Sequence, residues 1–356
     1  MHALGKKGTE SKMEQRYRVY FIHYQIQNLK QMTEYLCIQD QKLTDKMVWD
    51  SENPDYVFVS ENIYRIKEQF LQFRKYKQRK DRIFIASMGE ALSADMNLFD
   101  YAITYEKNFM VSDRTSRIPP VYIFKNRVSF EQNQLTREDA AALLKAKEKF
   151  CNFIYSNPDA HQRRDEIFGE LSKYKRVDSL GAHLNNTNVR PTRTDKDWCE
   201  ISVQLKSRYK FSIACENAVQ NGYSSEKIIS SFAAHTVPVY FGDPLIAEEY
   251  NPKAFINAGK YQNLEDLRKQ VHRVDENDDL WMDMICQPWQ TSEQIQKIET
   301  EMEQYQDFIR HIFMQNLQSA KRITAGTHHD IYENWFWKRF SYTDRFKKKI
   351  KQMKSR

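Results

Sequence analysis

Short apolar runs rich in β-branched and aromatic residues recur along the first half of the chain, separated by stretches with helical spacing. RVYFIH (18–23), DYVFVS (55–60) and RIFIAS (82–87) each predict a strand. An amphipathic stretch with Leu29, Met32, Leu36 and Ile38 follows the first, and a basic helical stretch from Ile63 to Lys80 separates the other two. FDYAIT (99–104) and, after Arg117-Ile118-Pro119-Pro120, VYIF (121–124) predict two more strands. Strands alternating with helices imply an α/β domain with a mostly parallel sheet, and such sheets hold ligands in loops at the carboxyl ends of their strands.

The pattern restarts near Lys149. FCNFIYSN (150–157) reads as a strand running into a polar loop, and RRDEIFGELSKY (163–174) as a helix with Ile167, Phe168 and Leu171 inward. After the aperiodic polar stretch 181–197, YKFSIACEN (209–217), a helix from about Ser224 to Ala234, and TVPVYFG (236–242) form a strand-helix-strand unit. KAFINA (253–258) predicts a further strand, NLEDLRKQVHRV (263–274) a helix, and 292–313 a long charged helix. The expected organisation is an α/β domain over 1–148, a second over 149–315, and a helical basic tail over 316–356.

Charge changes this picture only at the end. The chain is +7 overall, but residues 338–356 hold nine Lys/Arg against one Asp, +8, so everything else sums to −1. A near-neutral body lacks the basic face that nucleic-acid binding requires. Trp335, Phe336, Trp337, Phe340, Phe346, Ile350 and Met353 interleave with the tail's charges, a pattern suited to an anionic membrane surface as well as to a solvated terminus. The first dozen residues have no apolar core behind them, so no signal peptide is expected. Five scattered cysteines without CxxC spacing suit reduced thiols better than disulfides or zinc.

The richest chemistry lies in CENAVQNGYSSEKIISSFAAHTVPVYFG (215–242). A strand ends in Glu216-Asn217, Asn221-Gly222 turns the chain, and a helix starts near Ser224. Its free N–H groups and partial positive charge form a seat for phosphate. Lys227 adds a full charge there, Glu226 can accept two hydrogen bonds from a vicinal diol such as a ribose, and Tyr223 can donate to a phosphate oxygen. The constellation suits a nucleoside diphosphate.

Tyr209-Lys210-Phe211, Glu216-Asn217, Tyr223, Ser225-Glu226-Lys227, Val237-Pro238 and Gly242 together resemble the signature of the α-1,3/4-fucosyltransferase family, glycosyltransferase family 10, in its bacterial form. Asn251-Pro252-Lys253-Ala254-Phe255-Ile256 downstream resembles the family's P-x-S-F-I segment. Ser156-Asn157, Arg164 with Leu171, and Val177-Asp178-Ser179-Leu180-Gly181 upstream resemble its SN, R-x(6)-L and VDSxG elements. Cys215 stands where the family has Phe, and Ser225 where it has Thr.

The resemblance implies a GT-B fold: two Rossmann-like domains with a cleft between them and, here, the helical basic tail. It implies a GDP-fucose donor, an oligosaccharide or glycolipid acceptor, and transfer with inversion. By the same resemblance, Lys227 and Arg164 would neutralise the diphosphate, with Arg163 as the one-residue alternative. Glu226 would hold the ribose, Asn217 and Tyr223 would contact diphosphate and sugar, and Ser156 and Asn157 would shape the pocket. Glu90, in a Gly-Glu context before Asn97-Leu98-Phe99-Asp100-Tyr101-Ala102, is the expected general base, reaching in from the other domain. Arg114 and Arg117-Ile118-Pro119 also follow the family pattern.

With two cations for the leaving group, no cofactor and no essential metal are expected. Asp195-Lys196-Asp197 matches a DxD metal element but sits in a polar basic loop and not at a strand end, and His328-His329-Asp330 has adjacent histidines whose side chains diverge. Two readings stand beside transfer of fucose to the N-acetylglucosamine of a lactosamine-type unit. One is transfer of another GDP-sugar onto a surface polysaccharide, such as lipopolysaccharide or capsule glycan. The other is a non-catalytic glycan- or membrane-binding module. The expected location is cytoplasmic, on the inner face of the membrane.

Overall fold

The computed structural model of the protein describes residues 16–125, 135–189 and 198–338. Eleven strands among them form two sheets. The first has the order β2-β1-β3-β4-β5-β6, from β1 (Tyr17–Ile22), β2 (Met47–Trp49), β3 (Tyr56–Ser60), β4 (Ile83–Ser87), β5 (Tyr101–Thr104) and β6 (Thr115–Arg117). Every residue of β3 and β4 is buried, as parallel strands covered on both faces must be; this is why they appear in sequence as unbroken apolar runs. The second has the order β11-β10-β9-β7-β8, from β7 (Lys149–Phe153), β8 (Val177–Ser179), β9 (Tyr209–Cys215), β10 (Val237–Phe241) and β11 (Ile256–Asn257), and its pairings are parallel.

Helices pack on these sheets: α1 (Leu29–Tyr35), α2 (Gln41–Thr44), α3 (Lys67–Lys77), α4 (Pro120–Lys125), α5 (Arg137–Ala146), α6 (Arg163–Ser172), α7 (Trp198–Lys206), α8 (Glu226–Ala233), α9 (Leu264–Asp275), α10 (Asp278–Ile285), α11 (Ser292–Met314) and α12 (Leu317–Ala320). Several begin at side-chain caps. Thr136 and Asp139 form a reciprocal capping box at α5, and Asn263 and Asn277 cap α9 and α10.

Grouped by contacts, the chain forms two compact units. One comprises the described residues of Met1–Ser87, Asp95–Ala102 and Phe308–Arg356; the other those of Met88–Ala94 and Ile103–Asp307. The sequence boundary at 148 therefore falls inside the second unit. The end of α11 returns to the first unit because its aromatics complete that core: the Phe313 ring lies 4.4 Å from Tyr56 and 5.2 Å from Tyr17. Phe336, in the helical stretch 327–338, is buried against Phe70. Asp100, wholly buried, fastens the same return: it accepts from the amides of Phe84, Arg322 and Ile323 and from Lys321 Nζ, all within 2.8–3.0 Å.

Two strand expectations change. VYIF is helical, in α4, because Pro120 occupies the first helical position, where its missing N–H costs nothing and its fixed φ suits the helix; the strand there is β6. KAFINA shrinks to β11, since Asn251 folds 251–254 into a turn by accepting Lys253 N–H through its side chain and Ala254 N–H through its carbonyl.

Candidate active site

In the second sheet β8 lies on one side of β7 and β9 on the other. The chain thus reverses its winding direction between β7 and β9, and the carboxyl ends of such neighbours border a crevice. Tyr155 to Asn157 leave β7 there, and Glu216-Asn217 leave β9. The amide of His161 donates to Asn217 O at 2.8 Å and joins the two loops.

Glu216 is fully buried. Its carboxylate accepts from Ser225 N (2.8 Å), Ser225 Oγ (2.7 Å) and Lys227 Nζ (3.0 Å). Ser225 is the N-cap of α8, yet its hydroxyl makes no capping bond; it serves Glu216 and accepts from Lys227 Nζ at 2.7 Å. Glu226 Oε1 lies 3.8 Å from the same ammonium. Burial works against the Lys227 charge, but Glu216 and Glu226 outweigh it and raise its pKa, so it remains an ammonium. Gly242 makes room: a Cβ there would stand 2.4 Å from Glu216 Cγ. The helix start predicted to seat phosphate is thus built around a buried anion that fixes one lysine.

Tyr223 is buried and donates from Oη to Glu90 Oε2 at 2.9 Å. Burial, followed by the carboxylates of Glu216 and Glu90, pushes the phenol up, so it keeps its proton and acts as the donor. Glu90 was expected to reach in from the other domain. Its segment Met88–Ala94 instead belongs to the same unit as Tyr223, tied there by Met88 N to Ile103 O (2.9 Å) and Ser93 Oγ to Glu106 Oε2.

The two adjacent arginines differ. Arg163 donates from Nη2 to the carbonyls of Tyr261 (2.6 Å) and Gln262 (3.0 Å). Arg164 is 1% exposed, donates from Nε to Asp165 at 3.0 Å and lies over the Tyr155 ring at 4.8 Å. Its Nη1 is buried without a hydrogen-bond partner among the described residues, a donor available to an anion. Tyr155 in turn bridges to β9, accepting from Cys215 N and donating to backbone carbonyls at its end. Asn217 is half-buried, and Ser156 and Asn157 are exposed. The Asn157 side chain closes a turn on Asp159, using both its amide nitrogen and its oxygen. Cys215 faces the core with Phe153 and Ile213.

The profile described as "Glycosyltransferase family 10 (fucosyltransferase) C-term" matches residues 144–335, more than half of the chain. The chain belongs to this family. Among its relatives, an α-(1,3)-fucosyltransferase of Helicobacter pylori is 27% identical over 236 residues, 58% of this chain and 47% of that protein. The GDP-fucose protein O-fucosyltransferase 3 of Xenopus laevis is 27% identical over 197 residues, 53% of this chain and 40% of that one. The chain spans about half or less of the length of such curated relatives. A crystal structure of an α1,3-fucosyltransferase with GDP superposes with a TM-score of 0.60 at 20% identity, covering 86% of this chain and 94% of that one. At that identity the likeness is one of fold, and the fold is GT-B.

Within this family 10 chain, the structure ties Glu216, Ser225, Glu226 and Lys227 into one cluster and pairs Tyr223, two residues before Ser225, with Glu90. Glu216 was quoted in the motif but given no role; a carboxylate directly after a buried strand and nine residues before a helix N-cap was the available signal. Two candidate metal motifs were read from the sequence. Asp195-Lys196-Asp197 lies outside the described residues. In the other, the His329 ring nitrogen meets Asn97 O and Asp330 pairs with Lys80.

Proposed function

We propose that the chain transfers L-fucose from GDP-β-L-fucose to a hydroxyl of an acceptor glycan, with inversion in a single displacement. The proposed acceptor is the N-acetylglucosamine of a lactosamine-type unit, and the linkage α-1,3. The observation that carries this reading is the Tyr223–Glu90 hydrogen bond of 2.9 Å. It joins a carboxylate to the segment that presents Lys227, so base and leaving-group cation belong to one constellation. Glu90 Oε2 is taken by Tyr223, and Oε1 takes the acceptor's proton. As the acceptor oxygen bonds to the anomeric carbon, the bond from that carbon to the diphosphate oxygen breaks and its electron pair leaves with GDP. Lys227 and the free Nη1 of Arg164 bear the charge that develops there. Glu226 holds the ribose, Asn217 and Tyr223 contact the donor, and Ser156 and Asn157 border it. With two cations supplied by the chain, the reaction proceeds without a metal.

The test is calorimetric titration with GDP, UDP and CMP in EDTA, alongside turnover of GDP-fucose. GDP binds selectively in the chelator. Glu90→Gln leaves that affinity unchanged and lowers kcat by about 10²–10⁴-fold, the usual worth of a general base. A near-normal rate in Glu90→Gln, or loss of activity on chelation, refutes the mechanism. Acceptor class is read from a panel of lactosamine glycans and folded protein acceptors.

We also propose that the basic tail seats the enzyme on the cytoplasmic, anionic face of a membrane. Its charged part, 339–356, lies outside the described residues. In the helical stretch before it Ile331 and Trp335 are exposed, one helical turn apart, and can enter a lipid interface. Truncation after Lys338 keeps the buried Phe336; it should abolish sedimentation with vesicles containing phosphatidylserine, and unchanged sedimentation overturns the proposal.

A further inference from the structure

The Tyr223 hydroxyl reaches Glu90 only if the turn before it is held, and the turn is held by charges outside the motif. Gly222 has φ +85°, and a Cβ there would lie 2.6 Å from Tyr105 O, so the backbone is pressed against the 104–117 segment. Lys107 N–H donates to Asn221 O at 2.9 Å. Gly222 N–H donates to Asp243 Oδ1 at 2.8 Å. Its carbonyl, in the peptide that carries Tyr223, accepts from Arg117 Nη2 at 3.1 Å.

Arg117 is itself fixed on every side. Nε donates to Tyr105 O at 2.8 Å and Nη1 to Glu301 of α11 at 2.6 Å. Nη2 also meets Glu249, a buried carboxylate shared with Lys107 Nζ at 3.1 Å. Only a planar fork serves four acceptors in these directions; an ammonium on a flexible stem does not.

We propose that Arg117 is a positioning residue of this site, holding the Gly222–Tyr223 peptide so that the Tyr223 hydroxyl stays on Glu90. The inference rests on the reading of Glu90 as the base. Arg117 is spent on groups of the protein itself. Its effect passes through Tyr223, and this separates it from a residue that supports the fold alone.

The experiment measures kcat and KM for GDP-fucose, and GDP affinity by calorimetry, for Arg117→Lys, Tyr223→Phe and the double variant. Arg117→Lys lowers kcat about 10–100-fold, the scale expected when a catalytic group is displaced by about an ångström, while GDP affinity stays within about threefold. In the Tyr223→Phe background the same substitution changes kcat less than about twofold, because the hydroxyl it positions is gone. Equal loss in both backgrounds, or unchanged kcat in Arg117→Lys, overturns the proposal. Should Arg117→Lys fail to fold, Glu301→Ala releases only Nη1 and carries the same double-variant comparison. Failure of the base reading is distinct: it shows as a near-normal rate in Glu90→Gln, whatever Arg117 does.

Discussion

Replacing Lys227 by methionine separates the electrostatics of the site from its shape. The side chain keeps its length, but Glu216 loses the cation it pairs with. At 3.0 Å two unit charges attract by about 5–6 kcal/mol at an effective dielectric near 20. Much of this offsets desolvation, and removing one partner of a buried pair costs about 3–5 kcal/mol. Since 17% of the Lys227 side chain reaches solvent, the low end applies, about 3 kcal/mol. For a cooperative unit of the size of the second one, that lowers Tm by about 6–12 °C. The loss depends on pH with a definite sign. Burial raises the Glu216 pKa and Lys227 restrains that rise, so the variant's folded state holds a proton that its unfolded state releases. Its stability therefore falls as pH rises above about 5, and the deficit against the wild type is larger at pH 8 than at pH 5. Thermal unfolding at three pH values reads both, and GDP calorimetry should show affinity weakened at least tenfold, about one charge-assisted hydrogen bond. A wild-type Tm at pH 8, or a deficit that grows on acidification, refutes the reasoning.

Other substitutions test neighbouring parts. Asp100→Asn turns an amide NH₂ toward donors now met by carboxylate oxygens and should cost about 2–4 kcal/mol in unfolding experiments. Lys206, buried and donating to Lys227 O, Ser230 Oγ and Ser231 Oγ, has its pKa lowered by burial to about 7. Its folded state binds fewer protons than its unfolded state above that pH, so the wild type gains stability relative to Lys206→Met by about 1.4 kcal/mol per pH unit from 7 to 9. A flat difference in denaturant titrations over that range would sink this assignment. Gly242→Ala drives a Cβ into Glu216 and should weaken GDP binding; calorimetry indistinguishable from wild type would show that Glu216 does not hold Lys227 in place.

Much of this site was legible because its residues lie close together in the chain. A strand, a polar pair, a turn and a helix start within twenty-eight residues place Glu216, Tyr223 and Lys227 by local geometry alone. Arg163 and Arg164 show the limit of that legibility. Spacing to Leu171 favours Arg164, but only packing shows that the neighbour is spent on the carbonyls of Tyr261 and Gln262 while Arg164 keeps a buried free donor. VYIF shows a different limit, since four apolar residues fit strand or helix equally and the proline before them decided.

By itself the sequence determined the two parallel sheets, through unbroken apolar runs at strand length, and it placed the polar and charged residues of 215–242 at a strand end, a turn and a helix start. Tertiary structure alone decided which groups face each other across large separations in the chain. It set Tyr223 on Glu90, Arg117 on the Gly222 carbonyl, and the Glu90 segment in the unit that carries Lys227. It also returned residues 308–338 to the first unit. Periodicity records which face of an element is apolar, and that fixes the element. Which hydrogen-bond donor meets which buried carboxylate depends on how loops from distant strands are packed together, and no local pattern encodes that.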